Sequence, residues 1–276
     1  MVVHCGRLAV GAFIAATLGV VMAAEVPDLG ARALSPSAAR GGAPATGPQR
    51  TVSFAGIDWN VRSSHGALSG PGPNYFSDDA AAVGVTGGAS PSLRLSLVPL
   101  PAAREAATVP AKGAKGSDSV GWSCAEVVAP STMGYGTYGF RVATDFAAEG
   151  QAGHDSAHAV LGMFLYANDT QELDIEMARW GNTSAAANNA DNAVQPVGRG
   201  SGVYFRMPAL PAGQEFEHVI TWAPGQASFS SAFASPSEVG GVTPFHEWSY
   251  KNGDGGAQVP DASSGMLVHI NLWLFR

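Results

Sequence analysis

Cysteine and charge are both scarce in this sequence of 276 residues. There are two cysteines, and Cys5 lies in the N-terminal segment, so Cys124 has no partner for an intramolecular disulfide and is expected to be a buried structural thiol. Charged residues make up 13% of the chain, and 22 acidic residues outnumber 15 basic ones. The positive surface that holds a phosphate backbone is missing, which argues against a nucleic-acid partner.

Long hydrophobic runs are missing beyond the N-terminus. Residues 8–22 (LAVGAFIAATLGVVM) follow Arg7 and precede the small residues Ala23 and Ala24, a pattern typical of a secretory signal peptide over residues 1–23. An uncleaved membrane anchor is the alternative, although spanning a bilayer takes about 20 apolar residues. We therefore expect a secreted, extracellular protein without membrane contact once the signal is removed.

Sustained helical periodicity and internal repeats are missing too. Residues 24–50 are rich in Ala, Gly, Pro, Ser and Arg with no hydrophobic face, and are predicted to be a flexible linker. From Thr51 onward, short runs of alternating apolar and polar residues are separated by turn residues. This texture predicts one all-β domain over residues 51–276, a jelly-roll sandwich of two antiparallel sheets.

Three carboxylates stand at alternate positions in the segment QELDIEMARW, residues 171–180. Because a strand directs alternate side chains to opposite faces, one face is acidic and the other apolar: Glu172, Asp174 and Glu176 against Leu173, Ile175 and Met177. A solvated strand face would explain the pattern, but neighbouring like charges repel each other. Glycoside hydrolysis needs two carboxyl groups, one with a raised pKa, which makes this segment the candidate catalytic strand.

The same segment carries a resemblance to a known family. Residues 172–176 (ELDIE) resemble the E-x-D-x-E active-site strand of glycoside hydrolase family 16, the laminarinase and lichenase group of β-jelly-roll enzymes. Residues 134–138 (GYGTY), residues 218–225 (HVITWAPG) and residues 271–273 (NLW) resemble further motifs of that family, in the same order. Together these matches extend over residues 51–276.

The resemblance implies a secreted, retaining endo-glycosidase with a concave substrate cleft. It makes Glu172 the nucleophile, Glu176 the acid/base and Asp174 the residue that tunes the pair. The polysaccharide is expected to be a β-1,3- or mixed β-1,3/1,4-glucan, cut by a monomer that needs no cofactor or metal ion. The residues expected to contact the sugar are Trp122, Trp180, Gln195, Asn271 and Trp273.

The sequence departs from the family pattern at three places. Gly139 stands where many members carry a glutamate, Cys124 lacks the disulfide partner of some bacterial members, and the family usually supplies another strand after the position of Arg276. A missing C-terminal strand is therefore expected, with an unpaired sheet edge at the last strand. Two alternative functions stay open: a lectin-like carbohydrate-binding module without turnover, and a transglycosylase using the same site.

Overall fold

The computed structural model describes residues 15–19, 49–87, 91–100, 121–143, 157–184, 186–211, 214–234 and 243–275. Most of the predicted signal peptide and nearly all of the predicted linker lie outside these residues. In chain order the elements are β1 (Ala15–Gly19), β2 (Thr51–Phe54), β3 (Ile57–Val61), β4 (Tyr75–Phe76), β5 (Val83–Thr86), β6 (Ser92–Ser96), β7 (Val98–Pro99), β8 (Trp122–Val128), β9 (Gly136–Ala143), β10 (Ala159–Asn168), β11 (Gln171–Ala178), β12 (Ala190–Val194), β13 (Gly202–Phe205), β14 (Phe216–Ala223), β15 (Gln226–Phe233), β16 (His246–Lys251), the 3₁₀ turn η1 (Ala262–Ser264) and β17 (Leu267–Leu274).

These strands form two sheets, as the alternating sequence pattern predicts. A seven-stranded sheet has the order β16-β15-β14-β9-β1-β6-β5. A ten-stranded sheet has the order β13-β12-β11-β10-β17-β8-β3-β2, with β4 and β7 added beside β8. Neighbouring strands are antiparallel except for β4 and β8. The prediction of an all-β fold built from two antiparallel sheets is confirmed.

One hydrophobic cluster draws on both sheets and forms the core. Each sheet directs its alternate apolar side chains into this cluster, and burying one of them fully stabilises the fold by roughly 1.5–3 kcal/mol. Cys124 is part of it and is fully buried, as expected from the sequence. The largest fully buried side chains are aromatic: Trp59, Trp222, Tyr250, Phe140, Phe216 and Phe229.

The first and last strands both lie inside their sheets. β1 pairs with β6 on one side and β9 on the other, and it falls within the predicted signal peptide, so cleavage at Ala23 would remove it from the sheet. β17 pairs with β10 and β8 along both of its edges. The last strand is therefore not the unpaired edge that the sequence led us to expect. No helix in the described part of the chain has the length and hydrophobicity to cross a membrane.

Candidate active site

The predicted separation of the two faces of β11 is present. The apolar set, Leu173, Ile175 and Met177, is fully buried in the core. The carboxylate row, defined as Glu172, Asp174 and Glu176, lies on the opposite face. Directly opposite on β10 stand Tyr166, Phe164 and Gly162, in the same order. Because residues paired across antiparallel strands share a face, these aromatic rings flank the first two carboxyl groups, and the glycine lies beside Glu176.

A fourth carboxyl group extends the row onto the next strand. Asp191 on β12 stands directly opposite Glu176 and is 7% exposed. Trp180, two residues past the end of β11, has φ +52°, an uncommon backbone conformation for a tryptophan. Its indole Nε1 donates a 2.9 Å hydrogen bond to Asp191 Oδ1. Sequence reasoning missed Asp191, because its surroundings (NNADNAV) read as turn residues and only the strand pairing brings it to Glu176.

All four carboxyl groups have raised pKa values, and burial is the largest cause for each. The pKa of Glu172 is raised to about 8 by burial, with repulsion from Asp169 and Glu126 adding to it. Burial raises the pKa of Asp191 to about 7. Burial and repulsion from neighbouring carboxylates hold the pKa values of Asp174 and Glu176 well above their ordinary range. In the described part of the chain, no lysine or arginine offsets these shifts.

Two of the predicted sugar contacts, Trp180 and Trp273, lie together beside Glu176. Their ring centroids are 6.0 Å apart in an edge-to-face arrangement, and Phe275 packs against Trp180 at 5.2 Å. The Nε1–H of Trp273 is buried and makes no hydrogen bond of ordinary geometry to the described residues. The interaction of this N–H with the Glu176 carboxyl group nevertheless lowers the pKa of Glu176, although burial raises that pKa by more. The Nε1–H of Trp273 therefore faces Glu176 without a close hydrogen bond to it.

The third predicted contact, Asn271, lies on β17, two strands away from β11 in the same sheet. It stands opposite Gly162 on β10 and Glu126 on β8. Its Oδ1 accepts a 3.1 Å hydrogen bond from the Gly162 backbone N–H. A Cβ atom at position 162 would lie 2.5 Å from that oxygen and 3.2 Å from the Phe164 ring. Glycine is needed here for space, because a larger residue would displace the asparagine.

The other two predicted contacts lie differently. Trp122 begins β8, and its ring packs against the hydrophobic core. Two strands, β17 and β10, lie between β8 and β11 in the sheet. The Gln195 backbone N–H donates to the Glu172 carbonyl at 3.1 Å. Its side-chain Oε1 accepts from the Val197 N–H at 2.8 Å, within the turn. The structure thus brings Gln195 next to the carboxylate row but does not bring Trp122 there.

A further carboxyl group, Glu126, lies buried on the same sheet. Sequence reasoning missed it because it is a lone acid in an apolar strand. It is 4% exposed and accepts hydrogen bonds from Arg62 Nη1 at 2.5 Å and His269 Nδ1 at 2.8 Å. The His269 ring stacks on Phe164 at 5.1 Å. Burial works to raise the pKa of Glu126, but the hydrogen bond from His269 and the charge of Arg62 outweigh it and lower the pKa.

An exposed aromatic side chain, also missed from the sequence, borders the row. Tyr204 on β13 stands opposite Asp191 and is 58% exposed. Its pKa is raised by partial burial and by the charges of Asp191 and Glu176. A flat aromatic surface at this position suits stacking against a sugar ring. Among the described residues, no group of three or more His, Cys, Asp or Glu side chains is placed to hold a metal ion.

Comparison with solved structures finds similar chains among glycoside hydrolases. The Bacillus licheniformis β-glucanase aligns with a TM-score of 0.49 and 17% identity, over 84% of this chain and 87% of its own. A glycosyl hydrolase family 16 protein from Mycobacterium smegmatis gives 0.45 and 18%, over 83% and 85%. An immunostimulatory antigen and pseudo β-1,3-glucanase of Mycobacterium tuberculosis gives 0.45 and 16%, over 78% and 80%. Comparisons with protein-family models and with curated proteins gave no match.

Proposed function

We propose that the protein is a retaining endo-glycosidase that hydrolyses internal β-glycosidic bonds of a neutral glucan, with Glu172 as nucleophile and Glu176 as acid/base. The observation that carries this proposal is the carboxylate row on one sheet face beside the Trp180–Trp273 pair, with Asp174 buried and the two glutamates half-buried. A general acid that works near neutral pH needs a raised pKa, and burial with nearby carboxylates raises that of Glu176. The assignment of the nucleophile to Glu172 and of the acid/base to Glu176 comes from the resemblance to family 16 motifs.

In this mechanism the two glutamates act on opposite sides of the scissile bond. Glu176 donates its proton to the glycosidic oxygen while the Glu172 carboxylate attacks the anomeric carbon, which releases the leaving chain and forms a glycosyl ester. Water then attacks the ester and gives its proton to Glu176, so both carboxyl groups return to their starting states. Glu172 must be ionised to attack. Since its pKa is about 8 in the free protein, kcat/KM should rise with pH toward that value.

The charge of the site supports a neutral substrate. Four carboxyl groups with raised pKa values lie on one sheet face, and the nearby Arg62 is already bound to Glu126. A polyanion such as alginate would oppose the ionisation that Glu172 needs in order to attack, and among the described residues no lysine or arginine pairs with the row to bind it. The preference for β-1,3- or mixed β-1,3/1,4-glucans comes from the family resemblance alone.

The test is an activity screen with laminarin, lichenan, agarose and xyloglucan, with alginate as the charged control. We expect reducing ends from a β-glucan and none from alginate. Glu172→Gln and Glu176→Gln should each lower kcat by at least about 100-fold. Binding without released reducing ends would replace the enzyme with a lectin-like module. Lengthened oligosaccharide products would indicate a transglycosylase.

Chemical rescue with azide tests the assignment of the two roles. Glu176→Ala should yield a β-glycosyl azide, because azide attacks the glycosyl ester on Glu172 from the face that water uses. Glu172→Ala should yield an α-glycosyl azide, because azide takes the place of the missing nucleophile. Swapped anomers would reverse the roles, and wild-type products of inverted configuration would remove the mechanism.

We also propose that the protein is exported and cleaved at Ala23. The support is the apolar run at residues 8–22 that precedes two alanines. N-terminal sequencing of the protein from the culture medium should begin at or just after this point. A mature protein that still carries Ala15–Gly19 would contradict cleavage and would keep β1 in the seven-stranded sheet.

A further inference from the structure

The pairing of Asp191 with Glu176 sets this site apart from a simple pair of catalytic carboxylates. The two residues are direct cross-strand partners on β12 and β11. Side chains paired in this way on one face have Cβ atoms about 4.5–5.5 Å apart. Asp191 is buried and Glu176 is half-buried, so water screens their interaction less than that of an exposed pair. The ionisation state of one therefore acts directly on the other.

Trp180 supplies the element that makes the pair asymmetric. Its Nε1–H binds Asp191 Oδ1 at 2.9 Å, and this hydrogen bond favours the ionised form of Asp191. Glu176 receives a weaker favourable influence from Trp273, whose Nε1–H makes no hydrogen bond of ordinary geometry in the described structure. Of the two carboxyl groups, Asp191 is the one equipped to carry the negative charge.

The backbone at Trp180 is shaped for this contact. The residue adopts φ +52° and is followed by Gly181 at φ +75°. Two successive residues with left-handed backbone turn the chain back at the end of β11, and the indole reaches across to the neighbouring strand. Non-glycine residues in this conformation are strained and concentrate at functional sites.

We propose that Asp191 is a positioning residue for Glu176, held ionised by the indole of Trp180 so that its charge keeps the proton on Glu176 until the glycosidic oxygen accepts it. This inference rests on the proposed function for its consequence in catalysis. Once the proton has left, the two carboxylates repel each other, which makes Glu176 a better base toward the water of the second step. The proton of that water restores the starting state.

The other charged groups around the pair act in the same direction. On β11, Glu172 and Asp174 are further carboxyl groups that face Glu176, and Tyr204 on β13 is the neutral partner of Asp191. After burial, repulsion from Asp191 raises the pKa of Glu176 more than repulsion from Glu172 does. Since the pKa of Asp191 is itself about 7, its effect should be strongest above neutral pH.

The experiment measures the titration of Glu176 directly. Protein labelled with ¹³C at the glutamate side-chain carboxyl carbon is followed by NMR from pH 4 to 10, and the Glu176 signal is identified by its loss in Glu176→Gln. Asp191→Asn keeps an oxygen for the Trp180 N–H but removes the charge. The Glu176 midpoint should fall by about 1 pH unit or more in this variant. Asp191→Glu should stay closer to wild type, and the exposed Asp58→Asn is the matched control that leaves the midpoint unchanged.

Kinetics give the second readout. The alkaline limb of kcat/KM should move to lower pH in Asp191→Asn, which costs about tenfold in rate above the new midpoint. Trp180→Phe, which removes the N–H donor together with part of the ring, should move the limb in the same direction. An unchanged Glu176 midpoint in Asp191→Asn, or an equal fall in Asp58→Asn, overturns the proposal. A wild-type protein without turnover but with the expected midpoints would overturn the proposed function and leave the role of Asp191 standing.

Discussion

Buried carboxyl groups in two regions of the same sheet behave in opposite ways. Glu126, between Arg62 and His269, has a lowered pKa, whereas the row on β11 and Asp191 on β12 have raised ones. Burial is the largest single effect in both regions and acts in the same direction. The difference is the cation: Arg62 is in direct contact with Glu126, whereas no arginine or lysine of the described ranges pairs with the row. A buried carboxyl group on this sheet therefore stays ionised where a cation contacts it, and it holds its proton to higher pH where burial acts without one.

Removing the cation from Glu126 should have the largest effect on stability. Arg62→Met breaks the 2.5 Å ion pair and leaves a buried carboxylate with His269 alone. It also removes the hydrogen bonds from Arg62 to Ser69 and Gly70. The free energy of unfolding should fall by about 2–3 kcal/mol at pH 7.

Urea denaturation at pH 7 measures this loss. Adding Glu126→Gln to Arg62→Met should recover part of it, because the unpaired charge is gone. The exposed Lys251→Met controls for loss of a positive charge elsewhere and should stay within about 0.5 kcal/mol of wild type. A double variant no more stable than Arg62→Met would show that packing of the arginine, and not its charge, matters.

Gly162→Ala should disturb the packing of Gly162 against Asn271, which lie between Glu176 and Glu126 in the sheet. The new Cβ atom would lie 2.5 Å from Asn271 Oδ1, and overpacking of this kind costs about 1–3 kcal/mol. Displacing Asn271, which stands opposite both Gly162 and Glu126, should lower activity as well. Gly87→Ala, where no atom lies within 4 Å, is the matched control. Thermal melting and activity together test this, and a fully active Gly162→Ala protein of wild-type stability would contradict the crowding.

The two regions should give opposite slopes of stability against pH. Asp174 has a raised pKa in the folded state, so its contribution is most favourable below its unfolded pKa and is lost as pH rises toward the folded value. Asp174→Asn should therefore gain about 1 kcal/mol over wild type near pH 8 and nothing near pH 4. Glu126 has a lowered pKa, so its contribution is present above its unfolded pKa and lost as pH falls through the folded value.

Melting curves from pH 4 to 9 for Asp174→Asn and Glu126→Gln check this contrast. Glu126→Gln should lose stability mainly at neutral pH and approach wild type in acid. Asp174→Asn should also lower the rate and move the pH optimum, since it removes a titratable group coupled to the two glutamates on either side. Parallel stability curves for the two variants would contradict the opposite pKa shifts of Asp174 and Glu126, and a pH profile of activity in Asp174→Asn that matches wild type would contradict the tuning role of Asp174.

The sequence predicted the features that depend on alternation within one strand, and it missed the residues that only strand pairing brings to the site. Period-two patterning indicates which face of β11 is acidic, because that property belongs to one strand. Asp191, Tyr204 and Glu126 come to the site from β12, β13 and β8, and their relation to Glu176 exists only through register. Trp122 shows the converse, since a tryptophan near the family motifs packs against the core instead. Pairing partners are long-range choices that local patterns do not determine.

Tyr204 should give the smallest effect, because it touches the acidic region only from its exposed rim. The ring is 58% exposed, so Tyr204→Ala should change the free energy of unfolding by no more than about 0.5 kcal/mol. If the ring stacks on a sugar, the same variant should weaken oligosaccharide binding by about 0.5–1.5 kcal/mol, roughly two- to tenfold in Kd. Leu68→Ala, which truncates another exposed apolar side chain, should leave binding unchanged. Titration calorimetry in a Glu176→Gln background, where turnover is blocked, measures both variants. Unchanged affinity in Tyr204→Ala would place the sugar away from β13 and limit the binding surface to the Trp180–Trp273 side of the row.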